Sequence, residues 1–79
     1  MAGYLRVVLR DAAGLDVPGG RILLDGDDHG ATPDTIEATL GDHRLAVTCL
    51  DRTVEPESRH VYVVACRPEN APVKRFTAA

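Results

Sequence analysis

The chain has 79 residues, a hydrophobic fraction of 44% and a formal net charge of −3, enough for one small domain and too apolar for wholesale disorder. Nine basic residues are scattered among twelve acidic ones, which argues against nucleic-acid binding, because that needs clustered Lys and Arg to displace condensed counterions. The longest apolar run, Val61 to Cys66, falls far short of the ~20 residues of a spanning helix, so membrane insertion is not expected.

Apolar residues alternate with period two along most of the chain, the mark of half-buried strands. Leu5, Val7 and Leu9 share one side of a first strand and Arg6, Val8 and Arg10 the other. Asp11 to Gly14 breaks it, and Pro18-Gly19-Gly20 closes a loop of turn formers. Arg21 to Asp25 makes a second strand with Ile22 and Leu24 inward, followed by an acidic turn, Asp27-Asp28-His29, between Gly26 and Gly30. Thr32-Pro33 leads into a strand over Thr35 to Leu40, with Ile36 and Ala38 on one face. Gly41-Asp42 reads as a two-residue hairpin turn.

The next strand alternates most cleanly, with His43, Leu45, Val47 and Cys49 on one side and Arg44, Ala46 and Thr48 on the other. Asp51 to Arg59 contains Pro56 and reads as a loop or short edge strand. His60 to Cys66 favours β structure and is apolar on both faces. Beyond Arg67-Pro68 alternation stops. The expected architecture is therefore a small all-β, antiparallel sandwich over residues 1–67, of transthyretin-like or immunoglobulin-like type, with residues 68–79 as an extended C-terminal arm.

The stretch Gly20 to Cys49 resembles the PEGA family of small bacterial and archaeal modules. The matching residues are Gly20-Arg21-Ile22-Leu23-Leu24-Asp25-Gly26, then Gly30-Ala31-Thr32-Pro33, then Gly41-Asp42-His43-Arg44-Leu45-Ala46-Val47. Leu5 to Gly20 is similar to the opening of carboxypeptidase regulatory-like domains, which share the transthyretin-like sandwich. Two departures are visible: Leu50-Asp51-Arg52-Thr53 replaces the Gly-aromatic pair that follows the Val-x-Val strand, and Pro18-Gly19-Gly20 replaces Pro-x-Gly-Ala. The resemblance rests on turn glycines and a Thr-Pro, so it implies an architecture and no chemistry. It also places a packed ring at His43.

Residues with catalytic or metal-binding chemistry form no convincing set. Asp25-x-Asp27-x-His29 opens like a calcium loop, but Ile36 stands where its terminal Glu belongs, so a solvated turn that also holds Asp28 is the better reading. His29, His43 and His60 lack ligand spacing. Cys49 and Cys66 lie in apolar strands, as small buried hydrophobes rather than nucleophiles. No cofactor, metal or enzymatic activity is expected.

What remains is surface. Val8, Leu23 and Leu50, with one face of Tyr62, Val64 and Cys66, are expected outward, and Val73, Arg75 and Phe76 are expected to act as contacts on the arm. These residues point to a non-catalytic interaction or structural module whose partner is a protein, a larger assembly such as a phage particle, or a second copy of the chain. The alternative is a carbohydrate- or cell-envelope-binding domain, although aromatic platforms are scarce, with two Tyr, one Phe and no Trp. The N-terminus has no apolar signal segment, so the expected origin is cytoplasmic, with incorporation into a virion placed ahead of a cell-surface setting.

Overall fold

The computed structural model describes Ala2–Ala79, which form eight strands and one 3-10 turn. In chain order these are β1 (Ala2–Asp11), β2 (Arg21–Leu24), β3 (Asp27–Ala31), β4 (Asp34–Thr39), β5 (Gly41–Thr48), β6 (Val54–Glu55), β7 (Arg59–Val63), the turn Pro68–Asn70 and β8 (Val73–Ala78). They build two four-stranded sheets, in the orders β4-β1-β8-β6 and β3-β2-β5-β7. The all-β sandwich expected from the alternation is the observed architecture.

Period-two patterning explains which side chains meet between the sheets. Leu5, Val7 and Leu9 of β1, Ile22 and Leu24 of β2, Ile36 and Ala38 of β4, and Leu45 and Val47 of β5 are all buried in one cluster. Phe76 and Ala78 of β8, Val61 and Val63 of β7, Val54 of β6 and the loop residue Val17 complete it. Among consecutive strands, only β2 and β3 pair with each other; every other connection passes from one sheet to the other.

The crossings depend on close approach. Thr32, buried at the corner before β4, donates its N–H to the Gly20 carbonyl at 2.7 Å. A Cβ on Gly20 would lie 2.7 Å from Thr32 Oγ1 and 2.8 Å from Leu9 Cδ2, so the chain passes there only as glycine. Gly3 is confined in the same way by Val63 and the Val64 carbonyl, where the end of β7 reaches across to β1.

Several expectations are corrected. The segment read as an arm lies inside the sandwich: β8 runs parallel to β1 and antiparallel to β6, which also makes the first sheet mixed. Phe76 is 0% exposed and is no surface contact. Its burial answers a core otherwise built without large rings, and the two preceding prolines had hidden a strand that starts only at Val73. Val8 is 4% exposed, also against expectation. It lies on the outer face between Arg6 and Arg10, with Arg75 as its register partner, and the aliphatic stems of these arginines are placed to cover it.

Turn positions shift too. The acidic segment Asp27-Asp28-His29 belongs to β3, and the reversal before it is Asp25-Gly26, with φ of 53° and 89°. Positive φ at both central residues is the requirement of a type I′ hairpin turn, which Asp-Gly satisfies. Gly41-Asp42 is no hairpin, since β4 and β5 belong to different sheets and Leu40-Gly41 is a corner between them.

Candidate functional site

Polar side chains gather at one end of the sandwich, where β3 and β4 border a shallow depression of about 280 Å³ lined by Asp25, Asp27, His29, Glu37, Thr39 and His43. His43 is one of these lining residues and its side chain is only 11% exposed. Nδ1 lies 2.5 Å from Asp25 Oδ2, and Nε2 lies 2.7 Å from the Thr39 carbonyl. Both of these partners are acceptors, which favours a ring protonated on both nitrogens, and the Thr39 hydroxyl also lies 3.2 Å from Nε2. The Asp25 carboxylate and the Thr39 carbonyl together raise the His43 pKa above its ordinary value.

The second Asp25 oxygen accepts the Arg44 N–H at 2.9 Å. That bond, with the His43 contact, holds the Asp25 carboxyl below the usual carboxylate range. The histidine therefore ties the β2–β3 turn to the corner that ends β4. While protonated it has no lone pair to abstract a proton or bind a metal, and each Asp25 oxygen holds a bond within the fold. The bond that Asp28 accepts from the Gly30 N–H, together with the Arg21 guanidinium at 2.8 Å, lowers its pKa. Glu37 accepts the Tyr4 hydroxyl at 3.0 Å, which raises the Tyr4 pKa. Among the described residues, no three His, Cys, Asp or Glu side chains group in a way that could hold a metal. The depression is chiefly a set of internal clamps.

The cysteines are both free and half-buried. Cys49 packs against the core. Cys66, expected on an outward face, turns to the backbone of β1, accepting the Tyr4 N–H at 3.3 Å and donating to the Tyr4 carbonyl at 3.5 Å. Among the described residues, neither cysteine has a histidine hydrogen-bonded to it.

The surface candidates separate into two groups. Leu23 and Tyr62 are on the outer face of the β3-β2-β5-β7 sheet, with β5 between them and Ala46 beside Leu23. Leu23 is half-buried, whereas Tyr62 is 68% and Val64 55% exposed. Val73 and Arg75 project from the opposite sheet, both exposed, and the Arg75 carbonyl accepts Arg59 Nη1 at 3.1 Å. Leu50 is fully exposed, as expected. Leu15 and Leu40 are exposed apolar side chains that alternation missed, because both occur where it breaks down, in the loop before β2 and at the corner before β5. No family model, curated protein or solved structure matches the chain.

Proposed function

We propose that this chain is a non-catalytic protein-interaction module, an accessory subunit of a larger protein assembly, built on a PEGA-like, transthyretin-like sandwich. The observation that carries the reading is the β7 edge: Tyr62 on the strand and Val64 just beyond its end expose large apolar surface, with no acidic residue from Arg59 to Cys66. Such surface on a small domain marks a contact site more readily than a catalytic one. In the polar depression, His43 and Asp25 are engaged in hydrogen bonds within the fold, which favours a structural role for that pair.

The test is purification under native conditions from the source cells, with partners identified by mass. A defined protein partner retained by the unaltered chain and lost on Tyr62→Ser with Val64→Ser, while the variant keeps its β-rich circular dichroism, is the expected result. Retention of the same partner by that variant would overturn the use of this face.

A further inference from the structure

We infer that β7 is a self-pairing edge through which two copies of the chain join their β3-β2-β5-β7 sheets into one continuous sheet. The inference deepens the interaction-module reading by naming a partner, a second copy of this chain, and rests on it.

Hydrogen-bond alternation locates the open groups. The Asp25 N–H bonds the Arg44 carbonyl at 2.8 Å, so Arg44 faces β2 and its neighbours His43 and Leu45 face β7. Their register partners are Val61 and Arg59. The backbone groups of Arg59, Val61 and Val63 therefore bond β5, and those of His60 and Tyr62 point out of the sheet edge. Those N–H and C=O groups find no hydrogen-bond partner among the described residues.

The other three edges are defended. The β3 edge carries Asp27 and Asp28, and the β4 edge carries Asp34 and Glu37. The β6 edge is two residues long and leads into Pro56 and Glu57. Self-pairing of β3 or β4 in registers centred near these residues brings carboxylates together, and proline removes a donor beside β6. β7 carries neither an acidic residue nor a proline.

Its sequence suits a second copy. With a two-fold axis at Val61, His60 faces the partner's Tyr62 and Tyr62 faces the partner's His60, as two hydrogen-bonded pairs. All four open groups of each chain are then satisfied. Val61 meets the partner's Val61 on the core side, Arg59 meets the partner's Val63, and no like charges oppose. Tyr62 and His60 share the outer face, where each ring lies beside its counterpart across the axis. Each copy spends its single β7 edge in this two-fold contact, so the pairing closes at two copies.

Sedimentation equilibrium of the purified chain, from micromolar to low millimolar concentration, tests the inference. The expected mass is twice the 8.5 kDa of one chain. Tyr62→Pro removes an N–H that the fold does not use, and His60→Lys with Tyr62→Lys sets ammonium groups opposite one another. Both variants are expected to sediment at 8.5 kDa with unchanged circular dichroism; if Tyr62→Pro misfolds, the double lysine variant decides alone. A wild-type monomer throughout the range, or a dimer that survives the double substitution, overturns the inference. A monomer that still captures a different protein through Tyr62 and Val64 overturns the self-pairing and leaves the proposed function standing.

Discussion

β7 and β8 are short strands of similar length with very different standing in the molecule. β8 lies between β1 and β6, bonded on both sides along part of its length, and buries Phe76 and Ala78 completely enough to close the core. β7 has β5 on one side only, buries Val61 and Val63, and turns His60 and Tyr62 to solvent. A central strand is fixed by two neighbours and cannot be altered without loosening both. An edge strand contributes one inner face and leaves its outer face and half of its backbone groups available. Closing the core and leaving an open edge thus fall to different strands.

The largest expected effect lies on β8. Phe76→Ala should cost about 3–5 kcal/mol, because it removes a fully buried ring from a core with little capacity to collapse. At roughly 0.05–0.15 kcal/mol per residue a chain of this size holds about 4–12 kcal/mol in all, so the substitution should remove a large share of the total. A denaturant midpoint within error of wild type would show that β8 is dispensable and dissolve the contrast.

An intermediate effect is expected where β5, the strand that β7 leans on, begins. His43 has a raised pKa, so its contribution to stability is complete below the ordinary value of 6.5 and is lost as pH rises through the folded value. Asp25 has a lowered pKa, so its contribution is present above the ordinary value of 3.8 and lost as pH falls through the folded value. Urea midpoints measured against pH should therefore peak between these limits. His43→Gln should abolish the alkaline fall, and Asp25→Asn should weaken both limbs, leaving an acid limb from Asp28, whose pKa is also lowered. An alkaline fall that persists unchanged in His43→Gln would show that the ring is not the clamp.

The smallest effect belongs to the outer face of β7. Tyr62→Ser should change monomer stability by no more than about 0.5 kcal/mol, as exposed substitutions away from special features generally do. A loss comparable to that of Phe76→Ala would mean that the face is part of the fold.

The same two strands mark how far the sequence could be read. Alternation identified the inward residues of β1, β2, β4 and β5 correctly, since each has one face on the core and one toward solvent. It failed at Val8, an outer-face position flanked by Arg6 and Arg10 on its own strand and by Arg75 of β8, a neighbour distant in sequence. It failed again at β8, where the prolines before Val73 and the charged Lys74-Arg75 pair resembled a loose terminus. The role of His43 was legible only as a packed ring. The acceptors that consume both nitrogens come from Asp25 and Thr39, which are brought to it by a turn and a sheet corner. One local signal was available and misread, the Asp25-Gly26 pair that makes the single hairpin.

The sequence by itself determined the β architecture, the inward set on the early strands and the glycines at turns and crossings, because these follow from period-two burial and from backbone freedom at single positions. Tertiary structure alone decided which strands are central and which are edges, because seven strand connections include only one between paired neighbours. A strand's neighbours are then chosen by packing between segments far apart in the chain, and no local pattern encodes whether its second edge meets another strand or water.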